Sequence, residues 1–374
     1  MIYFDNAATT KPSKTALSRA EVFNQDNFFN PSTLYSGGLN CAREIKKAKE
    51  SILKNLFSVN HEVIFTACGS ESDNQAIFCA VKRGLFVTDL GEHSAVYKSF
   101  LELKNRGVKT EFIELNRDGS VNEDKLYSFI KENKDVSFVS IVHVNNETGA
   151  INDINKIAKT IKSINKNIVF HSDGVQAYGK IPYRLSSDID LYSISAHKIN
   201  GLKGVGALIK KKNLNLSPLI FGGGQENGLR SGTENVFGIK VFEFASEEHY
   251  KNLSLNYKTV KEIKDIIWNG LNKDYFVKIS GENSSPYILM VAVPSLRGEV
   301  IMHSLELEGL IIGNGSACSS KNRFSRVIEA CGYDDKVLDG VIRLSFSQET
   351  TLDEANKAIT LLNKTIEKLK GILI

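Results

Sequence analysis

The spacing of apolar positions changes repeatedly along the first part of this chain. Residues from Leu39 to Leu56 recur with the ~3.6-residue period of an amphipathic helix. Short apolar runs bounded by polar turns predict strands at residues 63–66, 85–88, 109–115, 136–144, 168–172, 191–195 and 205–209. Strands that alternate with helices are typical of a mostly parallel sheet covered on both faces, so we predict an α/β fold.

Beyond residue 238 the pattern changes. A helical stretch is predicted from Tyr250 to Leu271, then a strand at residues 287–294 and a last helix from Leu352 to Leu369. A chain of 374 residues is longer than most single α/β domains. We therefore predict a large domain at residues 14–252, and a smaller α+β domain that combines residues 1–13 with residues 253–374.

The charge balance points to neither nucleic acid nor a membrane surface as partner. The chain has 47 basic and 43 acidic residues, a formal net charge of +4. Its densest basic run, residues 210–212, is predicted to be a solvated turn after a strand. No leader segment and no apolar run of membrane-spanning length is recognisable, so a cytoplasmic location is expected.

The cysteines indicate neither a disulfide framework nor a zinc site, because they are odd in number and form no Cys-x-x-Cys pair. They are Cys41, Cys68, Cys79, Cys318 and Cys331. Cys318 differs from the others because glycine, serine and alanine surround it. Such neighbours favour an accessible loop and a nucleophilic thiol over a buried structural one.

Lys198 follows a predicted buried strand in the sequence Ser195-Ala196-His197-Lys198. Ligands of open α/β sheets bind at the carboxyl ends of strands. A lysine held there can form a Schiff base with a carbonyl cofactor. The alternative is an ordinary solvated lysine, which is the commoner state of this residue type.

A second candidate is the run of small residues Cys68-Gly69-Ser70, which leaves a strand and enters a helix. Backbone amides and the helix dipole at such a junction can bind a phosphate. The alternative is a serine N-cap without a ligand. The run lacks the Gly-Lys-Ser/Thr of a P-loop, so a nucleoside triphosphate is not indicated.

Asp173 ends another predicted strand and can pair with a protonated heterocyclic nitrogen, although a capping role would also explain it. Together with Lys198, it would meet the needs of a pyridoxal phosphate site. His93 can stack on such a ring and move protons, or cap a helix. Asn146 can bind a cofactor or substrate oxygen, or serve only in a turn, and the turn role alone would suffice for Asn145.

Arg343 has the chemistry to bind an α-carboxylate through two hydrogen bonds. A structural ion pair is the alternative. Taken together and in chain order, these motifs resemble the cysteine desulfurases of the NifS/IscS type. Those proteins are class V aminotransferases with the fold type I of pyridoxal phosphate (PLP) enzymes. The resemblance extends from residues 5–10 through residues 30–32, 68–74, 143–149, 173–176, 195–198, 222–235 and 315–320 to Arg343.

The resemblance implies roles for individual residues. The residues implied to contact the cofactor are the Schiff-base Lys198, the ring-nitrogen partner Asp173, Gln176 at the ring hydroxyl, the ring-stacking acid and base His93, and the phosphate ligands Gly69, Ser70, Ser195 and His197. Thr233 would join the phosphate ligands from the second subunit of a homodimer. Arg343, Asn146 and Asn30 would hold the substrate carboxylate, and Asn146 would also contact the cofactor.

The implied reaction converts L-cysteine to L-alanine and leaves the sulfur on Cys318 as a persulfide. The sulfur would then pass to an acceptor protein, either an iron–sulfur scaffold or a tRNA- or cofactor-thiolating enzyme. No resident metal is implied, and transient iron–sulfur ligation by Cys318 is the one metal role left open. The alternatives are a selenocysteine lyase, a class V aminotransferase, and a non-catalytic assembly subunit.

The sequence departs from its relatives at three places. Ser70 stands where threonine is usual, Cys68 replaces a small residue, and residues 33–35 lack a histidine that many relatives carry. The chain also lacks a C-terminal extension that some relatives use to bind a scaffold protein. We therefore do not expect the scaffold as acceptor by default.

Overall fold

The computed structural model describes residues 1–81, 83–314 and 324–372. Its strands are β1 (Ile2–Phe4), β2 (His61–Thr66), β3 (Leu85–Asp89), β4 (Thr110–Ile113), β5 (Val136–Ser140), β6 (Val169–Asp173), β7 (Leu191–Ser195), β8 (Gly206–Lys211), β9 (Val277–Lys278), β10 (Ile288–Ala292), β11 (Leu310–Asn314) and β12 (Val341–Ser345). Its helices are α1 (Lys14–Ala20), α2 (Val22–Gln25), α3 (Ser36–Asn55), α4 (Gly69–Cys79), α5 (Ser94–Asn105), α6 (Glu123–Glu132), α7 (Ile154–Ile164), α8 (Val236–Lys251), α9 (Leu253–Gly270), α10 (Gly298–Leu307), α11 (Arg326–Ala330), α12 (Asp335–Asp339) and α13 (Leu352–Ile372).

The larger sheet contains seven strands in the order β2-β8-β7-β6-β5-β3-β4. Strand β8 runs antiparallel to β2 and β7, whereas the pairs from β7 to β4 are parallel. The predicted α/β class with a mostly parallel sheet is therefore confirmed. Because the parallel strands share one direction, their carboxyl ends meet at one edge of the sheet.

Two predicted features of this sheet differ from the structure. The strand predicted at residues 136–144 ends at Ser140. The basic run is not a solvated turn, because Lys210 lies inside β8 and is only 3% exposed. Its ammonium donates to the carbonyls of Lys211 and Leu214 and pairs with Glu62 at 2.7 Å, and these partners stabilise the charge.

The smaller sheet has the order β1-β11-β12-β10-β9. Helices α9, α10 and α13 cover it and share its apolar core, which includes Phe4, Ile267, Leu289 and Phe346. The helical stretch predicted from Tyr250 to Leu271 consists of the end of α8 and the whole of α9. The domain limits at residues 13 and 252 stay a prediction.

The segment after β1 connects the two sheets. Asn6 donates its backbone N–H to the carbonyl of Ser345 in the smaller sheet at 3.2 Å. Thr10 donates its backbone N–H to the carbonyl of His197, just beyond β7, at 3.0 Å. Residues 5–10 therefore hold the smaller sheet against the carboxyl edge of the larger one. Among the described residues, no helix has the length and apolar character needed to cross a membrane.

Candidate active site

A cavity of ≈ 560 Å³ lies between the carboxyl edge of the larger sheet and the smaller sheet. Candidate residues from several strand ends line it, namely Gly69, Ser70, His93, Asn146, Asp173, Gln176, Ser195, His197, Lys198 and Arg343. They come from sequence segments as far apart as the start of α4 and β12. The fold thus brings together ten of the residues that the sequence analysis singles out.

Lys198 reaches the cavity because β7 ends at Ser195 and a 3₁₀ turn at Ala196–Lys198 follows. Its ammonium donates to the backbone carbonyl of Ala7 at 2.6 Å and to that of Ala8 at 2.8 Å. The lysine is therefore oriented by the connecting segment and is not an ordinary solvated side chain.

The start of α4 forms a concave wall of the cavity. Cys68 is the N-cap residue and makes no side-chain capping bond, so the alternative of a serine cap is wrong. A Cβ atom on Gly69 would lie 2.9 Å from a methyl carbon of Val175, so only glycine fits this close approach. Nearby, the buried hydroxyl of Ser195 has no hydrogen-bond partner in the described structure.

Two buried carboxyl groups, those of Asp73 and Asp173, line the cavity. Asp173 accepts a hydrogen bond from the backbone N–H of Val175 at 2.8 Å, which is the predicted capping alternative. Asp173, Asp73 and His93 each offer a ligand atom, and these atoms lie within 4.8 Å of one another. Burial raises the pKa of Asp173, although the charges of His93 and Lys198 oppose the rise. Burial also raises the pKa of Asp73 well above its ordinary value.

His93 both caps α5 and lines the cavity, so its two predicted roles coexist. Its Nδ1 accepts the backbone N–H of Ala95 at 3.2 Å. A neutral imidazole that accepts at Nδ1 carries its proton on Nε2. Burial lowers the pKa of His93, so the neutral ring is favoured.

Arg343 lies on β12 beside the cavity. One of its terminal nitrogens donates to the carbonyl of Asn146 at 2.8 Å, and the other pairs with the Asp5 carboxylate at 2.7 Å. The predicted alternative of an ion pair is therefore present. Asn145 has the expected turn role, since its amide oxygen accepts two backbone N–H groups and its nitrogen donates to Gly91.

Arg326 closes the cavity on the side of the smaller sheet. It donates to the backbone carbonyls of Leu90 and Glu92, and its guanidinium lies 3.8 Å from the ring centre of Tyr97. The contact ties the start of α11 to the loop that carries His93. The sequence gives no local sign of this role, because the partners are more than 230 residues away in the chain.

Three of the predicted residues are not in this group. Thr233 and Asn30 are exposed and do not line the cavity within the single chain, so their roles stay predictions. Asn30 uses its side-chain oxygen in a turn with the backbone N–H of Ser32. Cys318 lies outside the described residues.

Cys68, Asp5 and Asp73 line the cavity without having been assigned a role by sequence. Asp5 and Cys68 stand within motifs that carry the resemblance, and that position was the available signal. Asp73 stands in the same motif as Cys68, and its place on α4 is a second signal that its carboxyl faces the sheet.

Comparison with known proteins identifies the family of this chain. The family model described as aminotransferase class V matches residues 2–357. Cysteine desulfurase IscS of Dictyoglomus turgidum is 35% identical and the match covers 99% of this chain and 96% of that protein.

Two solved structures are also similar. A NifS-like protein superposes with a TM-score of 0.91 at 32% identity, and 99% of each chain is covered. A structure described as SspA in complex with cysteine gives a TM-score of 0.81 at 28% identity, with 94% of this chain and 100% of that chain covered. The chain therefore belongs to the class V aminotransferase family, among relatives of the NifS/IscS cysteine desulfurase type.

Proposed function

We propose that this protein is a PLP-dependent cysteine desulfurase that converts L-cysteine to L-alanine and transfers the sulfur to Cys318. The observation that carries the proposal is the meeting of Lys198, Asp173 and the unpartnered Ser195 hydroxyl in one cavity. The names of the relatives and the cysteine described in the SspA structure support the same choice.

The residues present fit pyridoxal phosphate. The buried Ser195 hydroxyl has no partner among the residues that the structure describes, and α4 begins at a glycine. Both features suit a phosphate, which needs several donors. No side-chain cation among the described residues is bonded to the buried Asp173, and a protonated ring nitrogen would supply one. Lys198 offers the amine for the aldehyde.

Gly69, Ser70, Ser195 and His197 would hold the phosphate. His197 contacts the Thr9 hydroxyl through Nδ1 at 3.1 Å. A neutral ring that accepts there donates from Nε2, and burial supports the neutral ring by lowering the pKa of His197 to about 4. Thr233 would complete this set from the second subunit of a homodimer, in keeping with its exposure in the single chain.

When bound, pyridoxal phosphate supplies an electron sink for charge that develops at the substrate α-carbon. Asp173 would keep that sink effective by favouring the protonated ring nitrogen. Gln176 would donate to the ring hydroxyl. His93 would stack on the ring and, through Nε2, exchange a proton with the substrate, while the amine of Lys198 takes up or returns another.

The substrate carboxylate would bind Arg343, with Asn146 and Asn30 as further donors. Asp5 now occupies one terminal nitrogen of that guanidinium. The Nε of Arg343 is buried and has no hydrogen-bond partner in the described structure, so it could donate to a substrate carboxylate. Asp5 also shields Arg343 from solvent, since the arginine side chain is 11% exposed.

The sulfur step would be nucleophilic. The Cys318 thiolate would attack the substrate sulfur, so that an S–S bond forms as the Cβ–S bond breaks. The electron pair of the broken bond would stay on the carbon side, where one proton at Cβ completes the methyl group and one at Cα completes alanine. Burial raises the pKa of Cys41 and Cys79, and that of Cys331 to about 12, which disfavours the thiolate. Those three thiols are therefore poor candidates, which leaves Cys318 and the cavity-lining Cys68.

The persulfide sulfur would pass to an acceptor protein that serves iron–sulfur clusters, tRNA thiolation or a thio-cofactor. Similarity to an IscS protein is compatible with the first of these and does not choose among the three. The homodimer and the cytoplasmic location belong to the same proposal.

The cofactor is tested by absorption spectroscopy. The purified protein should show the visible band of lysine-bound pyridoxal phosphate, and Lys198→Ala should abolish it. Lys203→Ala is the matched control, because Lys203 is an exposed lysine five residues away that does not line the cavity. A band that survives Lys198→Ala would contradict the assignment.

Desulfuration is tested by the release of sulfide from L-cysteine in the presence of a thiol reductant. Cys318→Ser should lose this release while it keeps the absorption band, because the cofactor site is intact. An aminotransferase would instead give a keto acid and show no dependence on Cys318. Equal activity on selenocysteine after Cys318→Ser would favour a selenocysteine lyase.

A further inference from the structure

A second lysine lies behind the wall of the cavity. Lys180 is 3% exposed and lies seven residues beyond the end of β6. Its ammonium donates to the side-chain oxygen of Gln176 at 2.9 Å and lies 6.0 Å from the ring centre of Tyr287. Burial of an ammonium with so few partners is costly, which calls for an explanation beyond packing.

The contacts of Gln176 determine which way its amide is turned. An ammonium only donates hydrogen bonds, so the amide atom that faces Lys180 must be the oxygen. The amide nitrogen accordingly donates to the carbonyl of Ala7 at 2.8 Å. Lys198 donates to the same carbonyl at 2.6 Å, so the nitrogen of Gln176 is held beside the Schiff-base lysine.

We infer that Lys180 is a positioning residue, which holds the amide of Gln176 so that a donor, not an acceptor, faces the ring hydroxyl of the bound cofactor. This inference rests on the proposed function, since it concerns the pyridoxal phosphate site. Without Lys180, only the Ala7 carbonyl still orients the amide of Gln176. The amide can then more readily turn its oxygen toward the ring hydroxyl, and that oxygen would repel an ionised hydroxyl.

The groups around Lys180 affect how far it is charged. Burial lowers the pKa of Lys180 to about 7, and the charges of Lys198 and Arg343 add to the fall, so Lys180 is an ammonium on the acid side of neutral pH. His197 and His249 also face Lys180, and burial holds the pKa of each at about 4, so neither adds a charge near neutral pH. No carboxylate among the described residues is recorded as its ion-pair partner, which leaves the oxygen of Gln176 as its acceptor.

Replacing Lys180 removes a positive charge near Lys198 and weakens the donor to the ring hydroxyl. Each change favours protonation of the lysine-bound cofactor. The pH midpoint at which the cofactor band changes should therefore rise in Lys180→Met by about one pH unit. Lys264→Met is the matched control. Lys264 is another buried lysine, 5% exposed, whose burial brings its pKa to about 7. It bonds Ser284 and Ser285, and none of the three lines the cavity.

The experiment is a pH titration of the absorption band in the holoenzyme variants, with thermal unfolding measured alongside. Lys180→Met should raise the pH midpoint of the absorption change. Lys264→Met should lower the melting temperature and leave the pH midpoint unchanged. In a Gln176→Met background, Lys180→Met should lose most of its effect, because the two residues act as a unit. Lys180→Gln, whose chain ends one bond short of the ammonium position, should give the same upward shift if the methionine variant does not fold.

A midpoint that stays at the wild-type value in a folded Lys180 variant overturns the inference, and so does a shift that adds fully to that of Gln176→Met. Both outcomes differ from failure of the proposed function, in which wild-type protein shows no lysine-bound cofactor band at all.

Discussion

His143 offers a quantitative test of how the sheet beneath the site is built. It is 4% exposed, its Nδ1 lies 2.9 Å from the Tyr192 hydroxyl, and its ring meets that of Tyr183 edge-on at 4.7 Å. Burial lowers the pKa of His143 to about 3. In the unfolded chain a histidine has a pKa of about 6.5, so the unfolded state binds the extra proton on mild acidification.

The magnitude follows from this difference. Between about pH 7 and pH 5 the unfolded His143 takes up nearly one proton and the folded one takes up none, so stability falls as the pH falls. The contribution is roughly 1.4 kcal/mol for each pH unit below 6.5, or about 2 kcal/mol at pH 5. This contribution hardly depends on the pKa of His143 in the folded state, because a pKa of 3 or 4 would leave the ring neutral at pH 5.

The assay is urea unfolding of wild type and His143→Asn at both pH values. Wild type should lose about 2 kcal/mol more than the variant on acidification, because only wild type carries this histidine. His303→Asn is the control, since it removes a solvent-exposed histidine from α10. Parallel losses in wild type and His143→Asn would refute the reasoning.

Two further substitutions test the smaller-sheet side of the cavity. In Gly313→Ala the new Cβ would lie 2.7 Å from the Asp5 carboxylate and 3.0 Å from the Arg343 guanidinium, so KM for L-cysteine should rise roughly tenfold with a smaller change in kcat. Unchanged steady-state kinetics would contradict this. Arg326→Lys replaces a planar fork that reaches two backbone carbonyls, so the free energy of unfolding in urea should fall by about 2 kcal/mol. A loss as small as that of an exposed arginine would contradict the role.

Most of the parallel strands could be predicted because they combine a buried apolar run with polar turns on both sides, whereas β4 is only partly buried. Strand β7 begins and ends where the pattern indicates, and the position of Lys198 at its carboxyl end follows. The strand around Arg343 was harder to predict, because β12 is five residues long and a charged residue stands at its centre.

Contacts between distant segments could not be predicted. Asp5 and Arg343 are 338 residues apart in the chain, and only the pairing of β1, β11 and β12 brings them together. Lys210 looks solvated in sequence because two lysines follow it, yet backbone carbonyls and Glu62 make its burial possible. Hydrogen-bond partners of this kind become visible only once the sheet is assembled.

The most direct test of the central claim is to find the sulfur atom after a brief reaction with L-cysteine. Mass spectrometry of the digested holoenzyme should show one added sulfur on Cys318, with alanine formed in equal amount. The Cys68→Ala variant should give the same result, because Cys68 lines the cavity but is not the proposed acceptor. Sulfur found on Cys68, or alanine formed without a persulfide on Cys318, would contradict the account.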